Sequence, residues 1–103
     1  MNAKILIIDD EQAIAWALAK AFQREGANAS QVGSAEAGLV EAAKLKPDII
    51  FLDVRLPGQD GLSILSQLRE VSGGGSIIVI TAHGNLSTAV RAVELGAFDY
   101  LSK

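Results

Sequence analysis

The chain has 103 residues, half of them apolar, and its 9 basic and 12 acidic side chains give a formal net charge of −3. This length fits one domain, and the apolar fraction is too high for intrinsic disorder. The lack of cysteine and the single histidine exclude disulfides, thiolate-bound metals and a histidine-rich metal site. No apolar run approaches the roughly 20 residues of a membrane span, and mild acidity argues against nucleic-acid binding through a basic patch. We therefore expect one cytoplasmic, non-exported domain over residues 1–103.

Three continuous β-branched runs, at residues 5–8, 49–52 and 77–80, predict buried strands. Runs without polar alternation are typical of parallel strands, which are buried on both faces. Two weaker strands are predicted near residues 29–32 and 98–101.

Helical patterns with polar caps and glycine or proline stops separate these strands. In chain order the signals are Ile14, Leu18 and Phe22 before Gly26; Ser34 and Glu36 before Pro47; Asp60, Leu62, Leu65 and Leu68 before the triple glycine 73–75; and Asn85 or Ser87, then Ala89 and Val93, before Gly96. Trp16 lies among alanines of the first helix, where we expect it to pack or to be partly exposed. The order βαβαβαβαβ predicts an α/β fold, a parallel sheet with helices on both faces and right-handed crossovers.

Polar side chains stand where the predicted strands end. Asp9 and Asp10 follow the first strand, Asp53 ends the third, Thr81 ends the fourth and Lys103 follows the fifth. Open α/β sheets bind ligands beyond the carboxyl ends of their strands, so we expect these side chains to share a pocket.

The charge of this pocket indicates its chemistry. Three close carboxylates repel one another by roughly 4 kcal/mol per pair at about 4 Å and an effective dielectric near 20, which one lysine cannot cancel. A hard cation such as Mg²⁺ can, because it prefers a few carboxylates, waters and a phosphate oxygen. A carboxylate nucleophile, a metal, a hydroxyl and an ammonium are the components of phosphoryl transfer to an aspartate.

Each side chain also has a structural interpretation. The Asp9–Asp10 pair can cap the first helix, Asp53 can cap a loop, and Thr81 can hydrogen-bond at a strand end. His83 is expected to be a solvent-facing loop residue.

Four segments together resemble the receiver, or CheY-like response-regulator, domain of bacterial two-component systems over essentially the whole chain. They read IIDDE at 7–11, DIIFLDVRLPGQDG at 48–61, ITAHG at 80–84 and GAFDYLSK at 96–103. The resemblance implies a flavodoxin-like, doubly wound, three-layer α/β/α fold with a five-stranded sheet of order 2-1-3-4-5. With that order, right-handed crossovers place the first helix on one face and the next three on the other.

The resemblance also implies a role for each residue that matches the family's motifs. The implied roles are Asp53 as phosphoacceptor, Asp9 and Asp10 as the acidic pair that holds Mg²⁺, Arg55 as a metal ligand through its backbone carbonyl, Thr81 as the hydroxyl that binds the acyl phosphate, Tyr100 as the aromatic that moves inward with Thr81, and Lys103 as the partner of a phosphoryl oxygen. Ala82 is small and would leave the phosphoryl group reachable. Such a domain takes its phosphoryl group from a sensor histidine kinase and is no enzyme of metabolism, since it catalyses only its own phosphorylation and dephosphorylation.

The sequence of residues 81–103 looks most like that of receivers of NtrC-type transcriptional activators. In those proteins a central AAA+ ATPase and a helix-turn-helix DNA-binding domain follow the receiver. This chain has neither a GxxxxGK[ST] loop nor a helix-turn-helix pattern, so we expect no direct contact of the domain with nucleic acid or membrane. Two alternatives stay open. A haloacid-dehalogenase-type phosphatase would carry Asp-x-Asp after the first strand, and a flavodoxin-like cofactor binder would carry a Ser/Thr/Gly-rich phosphate loop there.

Receivers continue into a fifth helix, and this sequence stops at Lys103, before that helix. We expect the sheet face over strands three to five to lack a cover. The isolated chain would then be unstable as a monomer, or would cover this face through a homodimer or an exchanged element.

Overall fold

The computed structural model describes residues 2–56, 59–82 and 86–103. The main strands are β1 (Lys4–Ile8), β2 (Asn28–Val32), β3 (Ile49–Asp53), β6 (Ser76–Thr81) and β7 (Asp99–Ser102). The helices are α1 (Gln12–Arg24), α2 (Ala35–Leu45), α3 (Leu65–Val71) and α4 (Leu86–Glu94). Two short strands, β4 (Arg55–Leu56) and β5 (Gln59–Asp60), form an antiparallel pair after β3.

The five main strands form one parallel sheet in the order β2-β1-β3-β6-β7. Numbered without the short β4–β5 pair, this is the predicted order 2-1-3-4-5. The pairing of β1 with β3 and of β3 with β6 brings the ends of these three strands together. The order of the sheet therefore places the predicted site residues at one edge.

The two faces of the sheet carry separate apolar clusters, as the crossover rule predicts. Ile5 and Ile7 lie in the cluster under α1, whereas Leu6 and Ile8 lie in the cluster under α2 and α3. Successive residues of a strand point to opposite faces, so a continuous apolar run fills both clusters. All four of these side chains are fully buried.

The caps predicted for α2 and α3 form, but α3 begins later than predicted. The Ser34 hydroxyl accepts a hydrogen bond from the Ala37 N–H at 3.2 Å. The Asp60 carboxylate accepts one from the Leu62 N–H at 2.9 Å, but the turn it starts is a 3-10 helix over Gly61–Ile64, and the α-helix begins at Leu65.

The fully buried residues of two helices are small, whereas the large residues of the apolar pattern are half-buried or exposed. In α1 the buried residues are Ala15 and Ala19, and in α4 the buried residue is Ala92. Small side chains let a helix lie close to the sheet, while larger ones fill the margins. Val93, predicted for the apolar pattern of α4, is 59% exposed, and Trp16 is 58% exposed.

The expectation of an uncovered face over strands three to five is wrong for the centre of the sheet. Phe51 and Ile80 are buried, and Phe22 of α1 stacks on Phe51 with ring centroids 5.3 Å apart. Exposure is concentrated beside β7, where Phe98 is 74% and Leu101 45% exposed. In the described part of the chain, no helix is both long enough and apolar enough to cross a membrane.

The turn that follows Asp53 depends on a close backbone contact at Gly61. The Gly61 N–H donates to the Val54 carbonyl at 2.6 Å, and a Cβ at position 61 would overlap the Asp53 carbonyl oxygen. We predict that Gly61→Ala lowers the free energy of unfolding by about 1–3 kcal/mol, because backbone must move to make room. Thermal melting measures this loss.

Gly33→Ala is the matched control, since the nearest atoms to a Cβ at position 33 lie 4.0 Å away, at ordinary contact distance. Equal melting temperatures for the two variants would contradict the role assigned to Gly61.

Candidate functional site

The strand ends bring four polar side chains together. Asp9 directly follows β1, Asp53 is the last residue of β3 and Thr81 the last of β6, and each is no more than 3% exposed. Lys103 follows β7, and its backbone N–H donates to the Thr81 carbonyl at 2.9 Å. The sequence prediction that these residues meet at one edge of the sheet is therefore confirmed by the geometry.

Asp9 and Asp53 use their carboxylate oxygens in the same way. Oδ1 of Asp9 accepts the Glu11 N–H at 2.9 Å, and Oδ1 of Asp53 accepts the Arg55 N–H at 3.1 Å. Each Oδ2 pairs with the ammonium of Lys103 instead, at 2.9 Å for Asp9 and 3.0 Å for Asp53. The predicted capping of α1 by the Asp9–Asp10 pair is therefore wrong, because the N-cap is Glu11 and Asp9 bonds to the N–H of that residue. Asp53 does bond to the loop that follows it, as its structural interpretation predicted.

The Lys103 ammonium is the positive centre of the site. Its Nζ lies 2.7 Å from Oε1 of Glu11, in addition to its two aspartate partners, and its side chain is 11% exposed. Burial by itself would lower the pKa of Lys103, but its contacts with the carboxylates of Asp9, Glu11 and Asp53 raise it above its ordinary value of 10.5. The lysine is therefore charged at every physiological pH.

Negative charge at Asp53 is not fully compensated. Burial raises the pKa of the Asp53 carboxyl above its ordinary value of 3.8, and the neighbouring Asp9 carboxylate raises it further. The Arg55 N–H and the Lys103 ammonium lower it without cancelling these effects. The site thus favours an additional positive charge near Asp53.

Asp10 completes a set of oxygen ligands suited to a cation. One carboxylate oxygen from each of Asp9, Asp10 and Asp53 lies within 4.8 Å of the others, and Asp10 is the exposed member of the three. Clustered carboxylates with an open side fit a small hard cation such as Mg²⁺, which keeps several waters when bound.

A cleft of about 200 Å³ opens beside these groups. It is lined by Asp10, Glu11, Asp53, Arg55, Thr81, Ala82 and Lys103. One water takes about 30 Å³ in the liquid, so the cleft can hold a phosphoryl-sized group together with several waters.

Three other residues quoted from the sequence motifs have different outcomes. Glu11 was not predicted as a site residue. It follows the aspartate pair directly in the sequence, but only the fold shows its contact with Lys103. Tyr100 packs against the cluster under α2 and α3, and its buried hydroxyl has no hydrogen-bond partner among the described residues. His83 lies outside the described residues.

The raised pKa of Asp53 predicts how stability depends on pH. A carboxyl whose folded-state pKa exceeds its unfolded value binds more protons in the folded state, so its ionisation lowers stability as pH rises above about 3.8. Without divalent ions, Asp53→Asn should therefore unfold at higher urea concentration than wild type at pH 7. The difference should shrink as pH falls towards 3.8.

Asp60→Asn is the matched control, because Asp60 accepts the same kind of i+2 backbone bond at an exposed position. Urea unfolding of both variants between pH 4 and pH 7 tests the prediction. If Asp53→Asn is less stable than wild type at pH 7, the ion pair with Lys103 stabilises the ionised Asp53 more than burial destabilises it, and the prediction is wrong.

Known proteins are similar to this chain in sequence and in fold. A family model described as "Response regulator receiver domain" matches residues 5–103. The chain is 35% identical over 99 residues to the DNA-binding transcriptional regulator NtrC of Salmonella typhimurium, which covers 96% of this chain and 21% of that protein. It is 35% identical over 103 residues to sporulation initiation phosphotransferase F of Bacillus subtilis, covering 100% of this chain and 83% of that one.

A solved response regulator from Burkholderia pseudomallei, described with a phosphorylated aspartic acid, calcium ion and citrate, has a TM-score of 0.94 at 32% identity, covering 99% of this chain and 60% of that chain. The chain spans about a fifth of the length of the NtrC relative. On these matches and on its fold, the chain belongs to the response regulator receiver domain family.

Proposed function

We propose that this domain is a phosphorylation-controlled switch in which Asp53 accepts a phosphoryl group from a sensor histidine kinase. The observation that carries the proposal is the arrangement at Asp53, where Oδ1 is fixed by a backbone N–H and Oδ2 pairs with the Lys103 ammonium at a cleft. A carboxylate oxygen of Asp53 attacks phosphorus, the bond between phosphorus and the donor breaks, and the donor leaves with that electron pair. An aspartyl phosphate remains.

Lys103 neutralises charge on the transferred group. The ammonium lies 3.0 Å from the Asp53 carboxylate, so a phosphoryl group on that carboxylate would place its own oxygens within reach of Nζ. Fixed positive charge beside a transferring phosphoryl group lowers the barrier by stabilising the charge of the transition state.

Asp9, Asp10 and Asp53 are proposed to hold Mg²⁺, with the backbone carbonyl of Arg55 as a further ligand. The support is the oxygen ligand set and the excess of carboxylates over ammonium among the described residues of the site. When bound, the ion would neutralise charge between the carboxylates and the incoming phosphoryl group.

Thr81 and Tyr100 are proposed to report the phosphoryl group to the rest of the protein. Thr81 lies at the cleft, and β6 and β7 are paired so that Val79 is opposite Tyr100 and Thr81 opposite Ser102. A hydroxyl that turns towards a phosphoryl oxygen leaves space beside β7, which the Tyr100 ring can use.

The output of the switch is proposed to be transcriptional, because a relative at 35% identity is a DNA-binding transcriptional regulator. Downstream ATPase and helix-turn-helix domains are part of this proposal. The phosphatase and flavodoxin-like alternatives lose support, since the family match covers residues 5–103 and two carboxylates stand where a phosphate loop would be.

The direct test is phosphorylation by acetyl phosphate with Mg²⁺, followed by intact mass measurement. Wild type should gain one phosphoryl group, and Asp53→Asn should gain none, because an amide is a poor nucleophile. Asp60→Asn serves as control and should be labelled like wild type. Labelling of Asp53→Asn to the wild-type extent would refute the assignment of the phosphoacceptor.

Mg²⁺ should stabilise the folded domain, because the assembled carboxylates bind it and the unfolded chain does not. At about 100 times the dissociation constant the gain would be about 2.7 kcal/mol, and Asp10→Ala should lose most of it. Glu70→Ala, at an exposed carboxylate on α3, should keep it. Thermal melting with and without MgCl₂ measures this, and an unchanged wild-type melting temperature would argue against the metal site.

A further inference from the structure

Three carboxylate oxygens surround the Lys103 ammonium. A protonated lysine has three N–H groups, and Nζ faces three carboxylate oxygens. These belong to Glu11 at 2.7 Å, Asp9 at 2.9 Å and Asp53 at 3.0 Å. Nζ donates hydrogen bonds to Glu11 and Asp53, whereas its contact with Asp9 is an ion pair without hydrogen-bond geometry. A phosphoryl oxygen that binds Lys103 therefore competes with these carboxylates for the ammonium.

The three carboxylates differ in how easily they can leave. Asp9 and Asp53 are buried, and the second oxygen of each is held by a backbone N–H, so neither can turn into water without losing that bond. The Glu11 side chain is 52% exposed at the rim of the cleft. Its backbone, fixed by bonds to Asp9 and Ala15, can stay in place while the side chain turns away.

We infer that Glu11 is a positioning residue that occupies, in the unphosphorylated site, the lysine donor that a phosphoryl oxygen takes on phosphorylation. The inference rests on the proposed function and extends it. Glu11 competes with the phosphodonor for Lys103, so it slows phosphorylation of Asp53.

The test compares Glu11→Gln and Glu11→Asp with wild type, using acetyl phosphate and saturating Mg²⁺. Glu11→Gln removes the charge, whereas Glu11→Asp keeps it but is one methylene shorter, too short to reach Nζ from the same backbone. Both variants should be phosphorylated about two- to fivefold faster than wild type, the range expected for loss of a half-exposed ion pair. Initial rates come from intact mass.

Glu70→Gln is the control for net charge. Glu70 is exposed on α3 near its end, where the chain turns at residues 73–75 to enter β6 at the opposite edge of the sheet. This variant should react at the wild-type rate. Melting temperatures of the variants separate the proposed role from a structural one, because a structural contact would change stability without accelerating labelling.

Each outcome decides a different statement. If wild type is not labelled at all, the proposed function fails, and this inference fails with it. If wild type is labelled and both Glu11 variants react at its rate or more slowly, the inference alone is wrong. If Glu11→Gln is phosphorylated faster than wild type and Glu11→Asp is not, the negative charge of Glu11 slows the reaction by repelling the phosphodonor. The contact with Lys103 is then not responsible, which also overturns the inference.

Discussion

Two carboxylates buried at the ends of neighbouring strands, Asp9 and Asp53, impose the main physical constraint on this domain. Each is at most 3% exposed, and burying a charge is costly unless it is paired and hydrogen-bonded. The fold meets this cost with one backbone N–H for each carboxylate and one shared ammonium from Lys103. The compensation is incomplete, because burial and Asp9 still raise the pKa of Asp53.

This incomplete compensation connects the scaffold with the chemistry. A site with two buried carboxylates, exposed acids at its rim and one ammonium among the described residues has a surplus of negative charge. Such a site gains more from a divalent cation than a neutral site would. The Asp53 carboxylate is also a suitable acceptor for a phosphoryl group, since the groups that would stabilise the added negative charge are already in place.

Rigid elements hold the site residues in position. The buried residues 5–8 lead directly to Asp9, and the buried end of β3 leads to Asp53. Gly61 closes the turn after β3 by approaching the Asp53 backbone too closely for a side chain. By contrast, Glu11 lies at the exposed rim, where a side chain can move without loss of packing.

The local patterns of the sequence predicted the parallel sheet and the meeting of Asp9, Asp53, Thr81 and Lys103, whereas the strand order was predicted from the resemblance to receiver domains. Continuous apolar runs and polar strand ends are local signals, and parallel topology converts them into one shared edge. The caps Ser34 and Asp60 were predictable for the same reason, because a cap bonds to a backbone N–H only two or three residues away.

Only the tertiary structure decided which side chains contact one another across large sequence separations. The pairing of Glu11 with Lys103 joins residues 92 positions apart, and no pattern in the sequence predicts it. The burial of Phe51 under α1 and the burial of alanines in α1 and α4 depend likewise on how closely helix and sheet approach. Such contacts depend on packing distances, which residue types and their spacing do not specify.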